Sequence, residues 1–122
     1  MPDPNYLILY VKNPVDSAAF YARLLGKSPL EASPGFAMFA LASGAMLGLW
    51  AAADVQPDAS APGGCELAFT VDSPARVDEL HMQWRGQGLS VAQLPMTMDF
   101  GYTFVALDPD GHRLRVFAPA PM

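Results

Sequence analysis

The chain states one unit twice: Leu7, Leu9, Val11 and Pro14 return as Leu67, Phe69, Val71 and Pro74, each sixty residues further on. Repetition at that period marks a supersecondary unit, because a strand or a helix alone does not recur over so long an interval. In each copy an alternating strand runs into a proline-started helix that meets a glycine, Gly26 in the first copy and Gly86 in the second. At 122 residues the two copies make one domain. A unit of about sixty residues buries little apolar surface by itself, so the copies are expected to pack together or to pair with a second chain, and a homodimer is the expected assembly.

Tyr6 to Val11 reads as a strand, and Asn13 followed by Pro14 supplies an N-cap and a first-turn proline. The spacing predicts a helix over 14–25, with Ala18, Phe20 and Leu24 on its apolar stripe, Asp16 in the first turn, and Gly26 as its stop. Phe36 to Leu41 and Met46 to Trp50 read as a hairpin around Ser43 and Gly44. Module one then covers about 5–53, and a Pro, Gly, Ala and Ser linker covers about 54–64. Module two, about 65–119, opens with a strand from Glu66 to Val71. Ser73 and Pro74 then start a helix whose apolar content is Val77, Leu80, Met82 and Trp84. A short strand near 89–92 precedes a loop holding Pro95, Met96, Met98 and Gly101, with the two methionines as a pliable lid. Tyr102 to Leu107 then pairs with Arg113 to Phe117 across Asp108-Pro109-Asp110-Gly111. Strand, helix and several strands, stated twice, define an α+β fold with mainly antiparallel sheets and a helix on the outer face of each.

The charge balance narrows the partners. A net charge of −5 with seven Lys and Arg residues gives no basic face for nucleic acid or for an anionic membrane. No apolar run reaches the roughly 18 residues of a spanning helix, and the N-terminus lacks the basic region of a signal peptide. The expectation is a cytoplasmic protein. Cys65 is the single cysteine, read as a small buried apolar residue rather than a nucleophile. No serine lies in a Gly-x-Ser-x-Gly elbow, Asp78 and Glu79 are adjacent on a helix and point apart, and Gly63-Gly64 precedes a strand rather than a helix. His81 on the second helix and His112 in the turn read as solvated or turn residues.

The repeat, the run Phe20-Tyr21-Ala22-Arg23-Leu24-Leu25-Gly26 and the closing Asp108-Pro109-Asp110-Gly111-His112 resemble the glyoxalase and bleomycin-resistance superfamily, with its vicinal-oxygen-chelate fold. Leu7 to Val11, Leu47-Gly48-Leu49-Trp50, Phe100-Gly101 and Thr103-Phe104 are similar, within it, to the phenazine antibiotic resistance proteins. The resemblance implies two βαβββ modules forming curved sheets. It also implies four metal-ligand positions, one from each of four strands, which here are Tyr6, Gly48, Glu66 and Arg115. Of these, only Glu66 is a metal ligand of the family's kind. A Gly and an Arg at two of the four leave the chelate incomplete, so no metal and no cofactor are expected.

With Tyr6 and Gly48 turned to the concave face, alternation also turns Ile8, Tyr10, Met46 and Trp50 to it, and Ala68, Thr70, Arg113 and Phe117 follow Glu66 and Arg115. Phe36, Met38, Phe100, Tyr102 and Phe104 join from neighbouring strands unless a bulge shifts the parity. An aromatic, nearly uncharged surface suits a flat conjugated molecule. Gly48 leaves floor space for a ring system, and Arg115 pairs either with Glu66 or with a ligand carboxylate. The expectation is therefore metal-independent sequestration of a planar aromatic antibiotic, phenazine-like by resemblance. Trp50 and Tyr102 would be the stacking platforms, with Phe36, Phe100, Met46, Tyr6 and Gly48 shaping the slot and Glu66 and Arg115 orienting polar groups. A divergent metal-dependent lyase or dioxygenase and a structural dimer with a self-filled cup are the alternatives.

Overall fold

In the computed structural model the described residues are 4–61 and 63–121, and they divide between Ala61 and Gly63 into two compact units. Each unit is βαβββ. Module one runs β1 (Tyr6–Val11), α1 (Pro14–Leu25), β2 (Glu31–Ala32), β3 (Phe36–Ala40) and β4 (Met46–Ala51), with a single 3-10 turn at Ala52–Asp54. Module two runs β5 (Glu66–Thr70), α2 (Pro74–Gly86), β6 (Ser90–Met98), β7 (Gly101–Leu107) and β8 (Arg113–Pro119). The strand orders are β1-β4-β3-β2 and β5-β8-β7-β6, the same topology twice. In each sheet the first and last strands pair in parallel and the rest are antiparallel.

Local chemistry sets the helix ends. Asn13 is extended, and its Oδ1 accepts from the amides of Val15 and Asp16, both at 3.1 Å, while Pro14 needs no amide partner at the first helical position. Gly26 adopts φ 68° and returns its amide to the Ala22 carbonyl, the left-handed stop that a side chain would oppose. Ser73 caps α2 in the same way through the Arg76 amide.

α1 packs on β3 and β4. The core of module one is the face beneath it: Leu9, Val11, Ala37, Phe39, Leu47 and Leu49 with Ala18, Phe20 and Tyr21 from the helix, all buried. Strand alternation sends the even-numbered residues of these strands to the opposite face. In module two, Val77, His81 and Trp84 of α2 are buried, and His81 and Trp84 meet Phe104 of β7, with Trp84 edge-on to both Phe104 and Phe69.

Several expectations are corrected. His81 is buried at 9% exposure against the Phe104 ring, not solvated. Val77, His81 and Trp84 fall at spacings of four and three, so the imidazole completes the apolar stripe of α2, whereas Met82 is 73% exposed on the other side. Cys65 is exposed, because it follows Gly63 and Gly64 outside the sheet. The loop expected around Pro95 is part of the nine-residue strand β6. β6 is the edge of its sheet, where a proline removes no needed ladder bond, and register shifts on either side of Gln93 absorb the irregularity. Met96 and Met98 are therefore strand residues, not a lid.

Among the described residues no helix is long and apolar enough to cross a membrane.

Candidate functional site: two sheet faces of opposite character

The helix-free face of module one carries Tyr6, Ile8 and Tyr10 from β1, Met46, Gly48 and Trp50 from β4, and Phe36 and Met38 from β3. The register aligns them in rows: Tyr10, Trp50 and Phe36 in one, Ile8, Gly48 and Met38 in the next. Tyr6, Ile8 and Tyr10 are 40%, 47% and 38% exposed, large apolar surfaces that a monomeric fold ordinarily covers. Tyr10 and Trp50 meet edge to face at 6.4 Å between centroids. The Tyr6 hydroxyl donates to Met38 Sδ at 2.7 Å. Across these three strands the face holds no charged side chain, and Glu31, opposite Met38 on the edge strand β2, is the first charge met at its margin.

Gly48 has a different reason from the one expected. A Cβ there would stand 2.9 Å from Phe36 Cζ and 2.9 Å from Tyr6 Cε1, so the two rings close over the glycine and bury it. The missing side chain makes room for the protein's own aromatics, not for open floor. The rings are the floor.

The corresponding face of module two is polar at its centre. Arg115 Nε and Nη2 donate to the two carboxylate oxygens of Glu66 at 2.9 and 3.1 Å, and Nη1 donates to Gln93 Oε1 at 3.2 Å and to Thr103 Oγ1 at 3.1 Å. The Thr103 hydroxyl, fully buried, donates in turn to the Val116 carbonyl. The guanidinium also lies 5.5 Å from the centroid of Phe100, which meets Phe117 edge-on. The fork-to-fork pair, with Arg115 side-chain exposure of 16%, is far better fixed than an ordinary surface ion pair.

Arg115 holds the Glu66 carboxyl below the usual glutamate range, chiefly by hydrogen bonding to the ionised form, with burial opposing and the charges of Arg115 and Arg113 assisting. A carboxylate whose folded value is lowered contributes stability that is whole above its unfolded value and is lost as pH falls through the folded one. Glu66→Gln is accordingly expected to lower the melting temperature at neutral pH, and the gap from wild type to close in acid below the ordinary glutamate range. Thermal melts across that range check it; a gap independent of pH contradicts the ion-pair origin.

Tyr102 and Phe104 do not share this face. Arg115 pairs with Val105 and Phe117 with Thr103, so the odd-numbered residues of β7 stand beside them and the even-numbered ones point to α2. The Tyr102 hydroxyl donates to Asp78 Oδ1 of α2 at 2.7 Å, and this bond to the neutral phenol raises its ionisation above the usual range. Of the nine residues singled out in the sequence, Tyr6, Phe36, Met46, Gly48 and Trp50 come together in module one, and Glu66, Phe100 and Arg115 in module two. Tyr102 stands apart. Gln93 and Thr103, two of the partners that orient Arg115, carry no signal in the sequence, since a lone Gln and Thr on strands are ordinary residues.

The four positions at which a superfamily metal would be held do not fit one. Gly48 has no donor, the Tyr6 hydroxyl is turned to Met38, and both Glu66 oxygens are taken by a guanidinium that is itself a cation. Among the described residues no three His, Cys, Asp or Glu side chains gather at one point. A cavity of about 550 Å3 in module two, lined by Cys65, Glu66, His112, Arg113 and glycines of the adjoining turns, is lined by no Phe, Tyr or Trp.

Twin βαβββ modules, each with a helix on one face of its sheet and an open face on the other, define the class, and the chain belongs to the Glyoxalase/Bleomycin resistance protein/Dioxygenase superfamily, matching it over residues 4–116. Among particular proteins, it is 32% identical over 116 residues to the phenazine antibiotic resistance protein EhpR of Enterobacter agglomerans, covering 93% of this chain and 89% of that one. Protein ATC0852 of Agrobacterium tumefaciens, known from a solution NMR structure, is 52% identical with a TM-score of 0.92, over 99% of this chain and 100% of that one. A glyoxalase/bleomycin resistance protein/dioxygenase from Nocardioides is 26% identical with a TM-score of 0.80, over 98% and 84%.

Proposed function

We propose that the protein confers resistance by binding a planar aromatic antibiotic of the phenazine type on the aromatic face of module one, without a metal and without making or breaking a bond. The observation that carries the proposal is that face: Trp50, Tyr10, Tyr6 and Phe36 around a ring-covered glycine, with no charge across its three strands. The kinship to EhpR supports the choice of ligand class.

Stacking follows from the rings. Each aromatic contact with a conjugated ligand contributes about 0.5–1.5 kcal/mol beyond area burial, and buried apolar area adds about 25 cal/mol per Å2. Sequestration of this kind calls for a dissociation constant of roughly 1 μM, about −8 kcal/mol. At micromolar protein that affinity holds a useful share of the drug by mass action alone.

Two copies of the chain form the working unit in this proposal, and it acts in the cytoplasm. The support for pairing is that β1 stands at the edge of its sheet and that Leu7 and Ile8 on it are 45% and 47% exposed. Isothermal titration with phenazine, in the presence of a strong chelator and with the assembly followed by sedimentation, tests the proposal. Saturable binding that the chelator leaves unchanged is expected; binding that vanishes with chelation, or none, refutes it.

A further inference from the structure

We propose that the edge strand of module two carries a binding site for a soft monovalent cation, Cu(I) or Ag(I), held by the thioethers of Met96 and Met98. The site uses none of the four superfamily metal positions, and it is independent of the aromatic face of module one.

It is built by the irregularity in β6. Alternation puts Met96 and Met98 on one side of the strand and would put Gln93, three residues before Met96, on the other. The register changes between them: Gln93 stands opposite Val105, Met96 opposite Thr103 and Met98 opposite Gly101. Paired residues of an antiparallel ladder share a face, so the extra residue at Leu94-Pro95 brings Gln93 round to the two methionines. Bulges at a sheet edge re-aim side chains in this way. Gln93 Nε2 consequently lies 3.4 Å from Met96 Sδ and 3.6 Å from Met98 Sδ and donates to both.

Two sulfurs thus converge on one positively polarised group. A thioether is a weak acceptor for an N–H but a well-matched ligand for a soft ion such as Cu(I). Met96 and Met98 are 46% and 38% exposed, so an ion reaches them from solvent. With three rotatable bonds each, the two side chains close on the ion as the amide swings away.

The surroundings select the class of ion. Hard divalent cations take oxygen ligands. Glu66 is the only carboxylate on the four strands of this sheet, and both of its oxygens are bound to Arg115. Arg115 Nη1 in turn holds the Gln93 carbonyl oxygen at 3.2 Å, which places a guanidinium beside the site with Glu66 offsetting its charge. A divalent ion meets twice the repulsion from that guanidinium that a monovalent one meets.

The test is a titration of the full chain, carrying methyl-labelled methionine, with Ag(I) as a redox-stable probe, followed by NMR. Cys65, exposed just before β5 on the opposite edge of the sheet, is replaced by serine so that its thiol does not compete. The methyl signals of Met96 and Met98 are expected to move together and to saturate at one ion per chain. Met82, 73% exposed on α2, is the control for a thioether that is merely accessible, and its signal is expected to stay in place. Met96→Leu and Met98→Leu keep the side-chain volume. Each is expected to weaken binding by at least the roughly tenfold that loss of even an indirect partner costs a metal site. Movement of Met82 at the same midpoint, separate midpoints for Met96 and Met98, or no movement in an excess of Ag(I) overturns the site. Zn(II) matching Ag(I) overturns the choice of a soft ion.

Discussion

Trp50→Ala is expected to weaken binding of phenazine at least about tenfold, a change of about 1.4 kcal/mol, while the variant still unfolds in one cooperative transition. Trp50 stands in the row formed by Tyr10, Trp50 and Phe36 and meets Tyr10 edge-on, so its indole is the largest stacking surface of the face. Its removal deletes one stacking contact and the apolar area beneath it, each of order 1 kcal/mol. Because Trp50 is only half-buried, the fold loses less than it would from Trp84, whose ring is packed between Phe69 and Phe104. Trp50→Phe keeps a ring at the position and is expected to retain most of the affinity. Titration calorimetry of the three proteins reads the effect directly, and unchanged affinity in Trp50→Ala removes the indole from the site.

Gly101→Ala is expected to be the most damaging single-methyl change in module two. Gly101 has φ 149°, a region closed to side chains, and a Cβ there would run into the Ala118 carbonyl oxygen, with the Ala118 carbonyl carbon and the Ala120 amide nitrogen each 3.0 Å away. The obstacle is backbone, so no rotamer relieves it. β7 would have to part from the end of β8 where Gly101 faces Pro119 and Phe100 accepts from the Ala120 amide. The expected cost is about 3 kcal/mol or more, a fall in melting temperature of more than about 10 °C. Gly111→Ala is the control: it has φ 89° with nothing within 4 Å of a Cβ, so only the conformational strain remains and a cost of about 1 kcal/mol is expected. A melting curve for Gly101→Ala no lower than that of Gly111→Ala contradicts the steric argument.

The parts of the fold that were legible in the sequence are those written in local chemistry. Asn13-Pro14, Ser73-Pro74 and Gly26 carry their cap geometry with them, and the sixty-residue repeat transfers the register of one copy to the other. The face of module one was legible for the same reason, since β1 and β4 alternate without interruption from Tyr6 to Val11 and from Met46 to Ala51. β6 was not, because Pro95 and the nearby Gly101 imitate a loop and only the position of the strand at the sheet edge makes the proline acceptable. Nor was the direction of Tyr102, which depends on how β7 is registered against β8, a long-range pairing that period-two alternation leaves undetermined. The burial of His81 was within reach: Val77, His81 and Trp84 share one helical face, but a titratable side chain is discounted when a stripe is counted by residue type. The role of Gly48 was hidden because it depends on where two rings from other strands, Tyr6 and Phe36, come to rest.

Glu66 and Arg115 show the limit more sharply. Their types suggest either a structural pair or a ligand anchor. The structure settles the pairing through four donor contacts from one guanidinium, two of them to side chains that nothing in the sequence marks.

The central claim is that a flat aromatic stacks on the helix-free face of module one, and the most direct measurement is a proton–nitrogen NMR titration with phenazine. The two indole N–H signals make it internally controlled, because Trp50 lies on that face and Trp84 in the core beneath α2. Ring-current shifts on the Trp50 indole and on the amides of Gly48 and Tyr10, with the Trp84 signal unmoved, are the expected result. Saturable shifts confined to module two, or spread equally over both indoles, would contradict the claim.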